Sequence, residues 1–457
     1  MRPFTLKVLA YSCSPTALHP LLKKLEASEI GLRLARGIFW SIGGATISRA
    51  LMLLAMMLVA RFLGKTEYGE LGMIQSTVGM FGVFAGFGLG MTATKHVAEY
   101  RRKDPERAGR IIAMAWIVAA VTGGVMALAI VVFAPWLTAN MINAPHLTNT
   151  LQISALFLFF SALNGAQTGA LSGFEAFKTI AKVNLAVGFL SFPVLIMGAY
   201  LGGVQGAVWA LIINVLCNWL LNHIALRRQA AYYHVPLKFR FWQKEIPLLW
   251  NFSLPAVLAG SLVAPVNWLC ASLLVNQPNG YGEMGIFSAA DQLCLLVSFI
   301  PGLLGGVVLP MMSNQLGENN KRESTQLLWL SIRVNVFIVI PIIIVLSALS
   351  PLIMRLYGES FRNSWPVLVI MLLGTGLSAV ITGVGQIIAA SSRMWVGFAM
   401  NAAWASVFLG GTYFLINNGA MGMALARGIA YFFHLIWVSI FAFFTLKPFI
   451  PQKGKAV

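Results

Sequence analysis

The sequence predicts an all-α integral membrane protein with twelve transmembrane helices, arranged as two parallel six-helix lobes around a central cavity. Three observations carry this prediction: the composition, the recurrence of long apolar runs, and an internal duplication. Of the 457 residues, 58% are hydrophobic and only 10% are charged, whereas a soluble globular protein carries about 25% charged residues. The mean hydropathy is +0.79. Much of the apolar surface must therefore face lipid.

The duplication appears as short sequences that return after more than 200 residues. Residues 68–74, YGELGMI, return as YGEMGIF at residues 281–287. Residues 203–207 return at 419–423, and the segment around Gln167 returns around Gln386, at nearly the same offset. Solenoid repeats have periods of only ~20–50 residues, so this spacing indicates a doubled domain. In each copy of the YGE motif, we expect the glutamate to start a helix and the glycine to form a tight turn.

Apolar runs of about 20 residues, each long enough to cross a ~30 Å hydrocarbon core as a helix, recur along both copies. In the first copy they lie at 38–60, 69–93, 111–133, 149–173, 179–200 and 204–226. In the second copy they lie at 247–273, 284–309, 326–348, 366–390, 394–416 and 420–446. Each copy therefore has an even number of predicted spans, so both copies insert in the same direction.

The distribution of lysine and arginine predicts the orientation in the membrane. If the N-terminus is cytoplasmic, the predicted cytoplasmic segments hold 26 of the 32 Lys and Arg residues, counted with Lys182 and Arg333 at the cytoplasmic ends of their spans, and the outer segments hold four. Cytoplasmic loops carry this excess in membrane proteins, so we expect both termini in the cytoplasm. The net charge of +18 then reflects attraction to the anionic inner leaflet and does not indicate nucleic-acid binding.

Three segments lie outside the predicted lobes, which occupy residues 37–226 and 247–446. Residues 1–36 form a basic cytoplasmic extension, which is expected to be either an amphipathic helix on the membrane surface or an unstructured tail. Residues 227–246 form a basic cytoplasmic linker with interleaved aromatic residues, typical of an interfacial segment. Residues 447–457 form a cytoplasmic tail. Two parallel repeats of this kind are typical of transporters that alternate access around a midplane cavity.

Arg49 is the leading candidate for a site residue. It lies about 11 residues into the first span, or ~16 Å at 1.5 Å per residue, close to the bilayer centre. An arginine there costs at least ~2.5–3.5 kcal/mol and does not readily lose its proton. We therefore expect it either to contact an anionic substrate or to form an ion pair with Glu70 or another acid that joins helices.

Further ionisable residues lie in or near the other spans. Arg427 lies in the last span with His434 on the same helix face. This polar face is expected to line the cavity. Alternatively, the Arg427 side chain extends along the helix to place its charge at the outer surface. Asp291 lies in the eighth span and is expected either to couple ion movement to transport or to balance a buried arginine. Asp291, Glu70 and His434 are the candidates for coupling to a proton or sodium gradient.

The seventh span contains Asn251, Pro255 and Pro265. Proline removes a backbone donor and bends a helix, and the freed carbonyl groups need protein or water partners within the membrane. We expect either a gate or a fixed kink at this position. Elsewhere the sequence contains no P-loop, serine elbow or metal-spaced cluster, and its four cysteines lack the close spacing of a metal or redox site. It predicts neither an enzyme nor a bound cofactor.

The opening of the chain resembles bacterial polysaccharide transporters, the O-antigen and exopolysaccharide flippases of the multidrug/oligosaccharidyl-lipid/polysaccharide exporter superfamily. The resemblance rests on RGIFWS at 36–41, Arg49 in mid-helix, ARFLG at 60–64 and EYG at 67–69, and it extends over residues 37–446. It implies a flippase that moves undecaprenyl-pyrophosphate-linked oligosaccharides across the inner membrane for O-antigen, exopolysaccharide or capsule assembly. The 36-residue extension is longer than is usual in this family.

The resemblance also suggests roles for individual residues and partners. Arg49 matches the first-helix arginine of the family and, with Arg427, would contact the pyrophosphate, since arginine is suited to phosphate. Gln167, Asn214 and Gln386 would bond sugar hydroxyls if they face inward. Membrane lipids, a polysaccharide polymerase and a chain-length regulator are the other expected partners.

Two alternatives to this function remain at the level of the sequence. One is an ion-coupled multidrug or cation antiporter of the same superfamily, which should present carboxylates within its first lobe. The other is a scaffold in envelope assembly that transports nothing. Arg49 at mid-bilayer argues against a scaffold, because scaffolding gains nothing from its cost.

Overall fold

The computed structural model describes residues 29–238, 241–254, 257–258, 261–317, 321–391 and 394–446. Over these ranges the chain is almost entirely helical, and none of the described residues lies in a strand. Residues 1–28 of the N-terminal extension and the tail at 447–457 lie outside the described ranges. Seven described helical stretches are long and apolar enough to cross a membrane, which agrees with a multi-pass protein.

The first half of the chain consists of long helices broken by glycines. These helices are α1 (Glu29–Gly86), α2 (Leu89–Tyr100), α3 (Pro105–Trp136), α4 (Thr148–Gly173) and α5 (Phe177–Tyr232). A straight helix of the 56 residues in α5 would extend ~84 Å, more than twice the hydrocarbon core. Gly203 instead has a φ of +56°, which glycine adopts without steric cost. The backbones of Gly198 and Gly206 then lie in contact, so the chain reverses at this break.

A similar break interrupts α1. Gly64 has a φ of +73° and a ψ of 175° and therefore separates the first predicted span from the second. The expected turn at the YGE motif thus lies five residues earlier, at Gly64, and Gly69 itself is helical. This difference arises because the helix of the second span begins before the motif, which leaves Gly69 free for a packing role.

The second half has the same pattern of long helices. They are α6 (Val263–Val275), α7 (Gly280–Gly317), α8 (Lys321–Ala348), α9 (Ser350–Tyr357), α10 (Trp365–Ala390), α11 (Met394–Leu415) and α12 (Gly419–Leu446). Gly419, which corresponds to Gly203 by the sequence repeat, also has a positive φ of +59°. The duplicated sequence thus produces the same backbone conformation twice, at the turn before the last helical segment of each copy.

The two copies meet where α1 crosses α7. A methyl group placed on Gly69 would lie 1.8 Å from the backbone oxygen of Tyr281, and one on Gly285 would lie 1.9 Å from that of Lys65. The backbones of the two helices are therefore in direct contact. A methyl group on Gly72 would also lie 2.2 Å from Ser288 Oγ. The glycines of the repeated motif make this close crossing possible because they have no Cβ.

The tyrosines of the repeated motif also contact the opposite copy. Tyr68 is 1% exposed, and its ring centroid lies 6.3 Å from that of Tyr357 and 6.1 Å from that of Phe361. Reciprocally, Tyr281 Oη donates a 2.7 Å hydrogen bond to the backbone oxygen of Ile142. The motif therefore joins the two copies in both directions.

The segment between the copies packs against the first half of the chain. Glu245 is 4% exposed and accepts hydrogen bonds from Arg107 Nε at 3.2 Å and Arg110 Nε at 3.3 Å. Ser253 and Thr92 share a hydrogen bond of 2.6 Å between their hydroxyl groups. A buried carboxylate between two arginines is strongly destabilised when its partners are removed, so this pairing fixes the linker to the N-terminal end of α3.

Candidate functional site

Arg49 lies on α1 and faces the second half of the chain. Its side chain is exposed on the protein, and its Cζ atom lies 3.9 Å from the ring centroid of Phe299 on α7. The expected alternative, an ion pair with Glu70, does not form, because Glu70 Oε1 lies 2.9 Å from His146 Nε2. A cation over an aromatic ring is attracted by ~0.5–2 kcal/mol, and this contact leaves the guanidinium donors available for an anion.

Arg427 is paired with an acid inside the second half. Its Nη1 donates a 2.6 Å hydrogen bond to Asp291 Oδ1, and the two side chains are 18% and 30% exposed. The rings of Phe287 and Tyr431 each lie 5.8 Å from the Arg427 Cζ atom. Of the two roles expected for Asp291, balancing a buried arginine therefore has direct geometric support. His434 makes a different contact, since its Nδ1 accepts a 3.2 Å hydrogen bond from Trp437 Nε1.

The amide residues expected at a site fall into different environments. Gln167 is 1% exposed, and its amide, in the orientation that satisfies both atoms, bonds the backbone oxygen of Trp219 at 3.0 Å and its Nε1 at 3.1 Å. Both polar atoms of the Gln167 amide are thus bonded between α4 and α5. Gln386 is half-buried and donates to Thr382 O at 3.4 Å on its own helix. Asn214 donates to Ser191 Oγ and lines a cavity.

The predicted gate is described only in part. Pro255 lies outside the described residues, and Asn251 lies in a π-helical turn, Leu249–Ser253. Pro265 lies in the first turn of α6, where the missing amide donor would have had no helical partner. Pro265 therefore begins a helix and does not kink one in its interior.

A cavity of 450 Å³ lies in the first half of the chain, between α1, α4 and α5, and is open on one side. Its polar lining consists of the amide and hydroxyl groups of Gln75, Ser154, Ser161, Asn214 and Asn218. The other lining residues are apolar or glycine, and none is charged. Met52 also lines it and follows Arg49 by one helical turn, so both residues lie on the same face of α1. A second cavity of 320 Å³ shares Gly82, Leu158 and Ser161 with the first.

A cluster of asparagines lies behind this cavity. Asn222, which is 2% exposed, donates 2.7 Å hydrogen bonds from Nδ2 to Asn164 Oδ1 and Asn218 Oδ1. These bonds orient the Asn218 amide so that its oxygen points to Asn222. The sequence reasoning overlooked Asn218 and Asn222. The signal for them is the spacing of Asn214, Asn218 and Asn222 at i, i+4 and i+8, which places all three on one helix face.

Two further observations concern other possible sites. A 620 Å³ cavity between α8, α10 and α12 has an apolar lining that includes Leu328, Trp329 and Phe443, which suits hydrocarbon better than a polar ligand. Within the part of the chain that the structure describes, no group of three or more His, Cys, Asp or Glu side chains is arranged to hold a metal ion.

The Asp291–Arg427 pair gives a first testable prediction. Asp291→Asn should lower the unfolding temperature of the purified protein, because Arg427 then stays in the protein without its counter-ion. Breaking a buried pair costs ~3–5 kcal/mol, and we expect about half of that here because the side chains are partly exposed. Thermal unfolding in detergent micelles measures the effect. Asp291→Asn combined with Arg427→Gln should recover part of the loss, and strictly additive losses would contradict the pairing.

Comparison with known proteins places the chain in a family. Residues 58–366 match the model of a family described as polysaccharide biosynthesis protein. The EPS I polysaccharide export inner membrane protein EpsE of Ralstonia nicotianae is 25% identical over 419 residues, which cover 89% of this chain and 91% of that protein.

Solved structures show the same fold at lower identity. The lipid II flippase MurJ, in its inward closed conformation, aligns with a TM-score of 0.68 at 18% identity over 90% of this chain and 88% of MurJ. An inward-facing multidrug resistance MATE family transporter of the MOP superfamily aligns with a TM-score of 0.66 at 15% identity over 88% of this chain and 96% of the transporter. At these identities the likeness concerns the fold alone. The family match, which spans about two thirds of the chain, shows that this protein belongs to the polysaccharide biosynthesis protein family.

Proposed function

We propose that this protein is a flippase that moves undecaprenyl-pyrophosphate-linked oligosaccharide units from the cytoplasmic to the outer leaflet of the inner membrane. The units would supply O-antigen, exopolysaccharide or capsule assembly. The observation that carries the proposal is Arg49, an arginine near mid-span whose contact among the described residues is the ring of Phe299. A lipid-linked pyrophosphate is an anion, and arginine bonds phosphate oxygens with charge-assisted hydrogen bonds. The similarity to a polysaccharide export protein of Ralstonia supports the same substrate class.

Twelve crossings in two six-helix lobes form part of this proposal. The breaks at Gly64 and Gly203 lie between predicted spans, and so does the turn at Gly419. They divide the longest helical stretches, of 55, 56 and 52 residues, into lengths suited to single crossings. With both termini in the cytoplasm, the α1–α7 crossing closes the outer end, and transport alternates between this state and one in which the outer end opens.

A cation-exporting antiporter is the competing function, and the first-half cavity argues against it. Its lining residues include no carboxylate, whereas a cationic drug would need negative charge in a desolvated site. Glu70, the acid closest to this region in the sequence, is held by His146. Coupling to a proton or sodium gradient through Asp291, Glu70 or His434 remains part of the proposal. The ion pairs of Asp291 and Glu70 are the natural places for such coupling, because protonation of the acid would break each pair.

Deletion of the gene tests the proposed function in the cell. We expect the deletion strain to lose surface polysaccharide and to accumulate undecaprenyl-pyrophosphate-linked oligosaccharide, because assembly on the cytoplasmic leaflet continues while its translocation stops. Extraction and mass spectrometry of membrane lipids measure the accumulation. Drug susceptibility should not change. Normal surface polysaccharide together with increased sensitivity to cationic drugs would support the antiporter and overturn the flippase.

A further inference from the structure

The polar lining of the first-half cavity is only partly repeated in the second half. Under the repeat offsets of 213–219 residues, Ser154, Ser161 and Asn214 correspond to the apolar residues Leu373, Val380 and Ala430, whereas Gln75 and Asn218 correspond to the polar residues Ser288 and His434. The second copy therefore has fewer polar groups and none of the amide groups at these positions. Buried polar groups cost free energy unless they are hydrogen-bonded, so the fold alone does not account for the polar wall of the first copy.

Several of the wall groups have unused hydrogen-bonding capacity. Gln75 and Ser161 line the cavity and make no side-chain hydrogen bond within the described ranges. Asn218 accepts from Asn222 through Oδ1, which leaves its two Nδ2 donors directed elsewhere. Asn222 is not a lining residue and acts on the cavity only through its bond to Asn218. The wall thus offers both donors and acceptors among apolar lining residues, without any formal charge.

Such a wall suits a neutral molecule with many hydroxyl groups. Each hydroxyl both donates and accepts hydrogen bonds, as amide groups do. The volume of 450 Å³ lies within the ~300–1,000 Å³ typical of small-molecule sites. Arg49 lies three residues before Met52, a lining residue of the cavity, or ~4.5 Å along α1. A charged group at Arg49 and a neutral ring in the cavity could therefore belong to one molecule.

We propose that the first-half cavity is a sugar subsite that binds the saccharide ring next to the pyrophosphate, with Gln75, Ser161 and Asn218 as its hydrogen-bonding residues. This inference rests on the proposed function, since it takes the lipid-linked saccharide as the ligand. Asn164 and Asn222 act as positioning residues, because they hold the Asn218 amide in one orientation. The first half of the chain then recognises both the anion and the sugar.

The test measures binding of two lipids to the purified full-length protein. One probe is the lipid-linked oligosaccharide extracted from the deletion strain, and the other is undecaprenyl pyrophosphate without sugar. Asn218→Leu and Gln75→Leu should each weaken binding of the oligosaccharide lipid by about tenfold, as expected for one or two lost hydrogen bonds. Their affinity for undecaprenyl pyrophosphate should equal that of the wild-type protein. Asn140→Leu is the matched control, because Asn140 is exposed and its Nδ2 donates to Trp136 O, four residues earlier in the chain.

The outcomes separate this inference from the proposed function. Wild-type affinity for the oligosaccharide lipid in folded Asn218→Leu and Gln75→Leu variants would overturn the sugar subsite. An equal loss of affinity for both lipids would also overturn it. If Asn218→Leu fails to fold, Gln75→Leu and Ser161→Ala carry the test, since neither residue bonds the asparagine cluster. Failure of the wild-type protein to bind either lipid would instead contradict the proposed function itself.

Discussion

Replacement of Arg49 by alanine should abolish polysaccharide export while leaving the amount of protein in the membrane unchanged. The guanidinium group contacts Phe299 and no acid among the described residues, so its removal leaves no unpaired partner and should not unfold the chain. It would remove charge-assisted hydrogen bonds to the pyrophosphate, each worth ~1.5–3 kcal/mol. Substrate affinity should then fall by about 10- to 150-fold. Complementation of the deletion strain, with immunoblots of membranes, measures both quantities.

Two further variants sharpen the Arg49 experiment. Arg49→Lys keeps the positive charge but lacks the planar fork that binds phosphate in a bidentate manner, so we expect intermediate export. Arg355→Ala serves as the control, because Arg355 is exposed at a helix end and pairs with Glu359 at 3.5 Å. Full export by Arg49→Ala at a normal membrane level would remove the pyrophosphate contact from the account.

Replacement of Gly285 by alanine should be the second most damaging change. Its methyl group would lie 1.9 Å from the backbone oxygen of Lys65, and a backbone atom cannot move aside as a side chain can. Overpacking of this kind costs ~1–3 kcal/mol. The equilibrium constant between the state in which α1 and α7 are in contact and the state in which they separate should therefore change by about 5- to 150-fold in favour of separation. Because transport requires both states in turn, export should be lost or sharply reduced.

A cysteine reporter measures the shift directly. Ser288 lies within the crossing, against Gly72, so Ser288→Cys should react slowly with a membrane-impermeant thiol reagent while the crossing is closed. Labelling should accelerate when Gly285→Ala is added. Gly302→Ala is the matched control on the same helix, since a methyl group there meets no atom within 4 Å. Equal labelling and equal export in the two glycine variants would contradict a tight crossing at Gly285.

The sequence predicted the periodic features of the fold well, because they depend on local chemistry. The apolar runs predicted an all-helical membrane protein, and the glycines between runs mark the breaks at Gly64 and Gly203. The repeat of the YGE motif identified two equivalent segments. It could not show that Gly69 and Gly285 touch, because that contact depends on how the two copies pack against each other.

The site was predicted less completely, because pairing between distant residues leaves no local pattern. Asp291 and Arg427 are 136 positions apart, and the sequence left open whether Asp291 balances an arginine. The sequence allows Glu70 as a partner for Arg49, but in the structure Glu70 Oε1 lies 2.9 Å from His146 Nε2. The family resemblance implies a site role for Gln167, whose amide is instead bonded to Trp219. Asn218 has a signal in the sequence, because Asn214, Asn218 and Asn222 are spaced to share one helix face.

Reconstitution of the purified protein in liposomes tests the central proposal most directly. Vesicles would carry the lipid-linked oligosaccharide from the deletion strain in both leaflets, and an added glycosidase or lectin would report the fraction exposed outside. We expect the exposed fraction to rise from about one half towards completeness with wild-type protein, and to remain near one half with Arg49→Ala. A fraction that stays near one half with folded wild-type protein, with and without a proton or sodium gradient and a membrane potential, would contradict the proposal that this chain is a flippase.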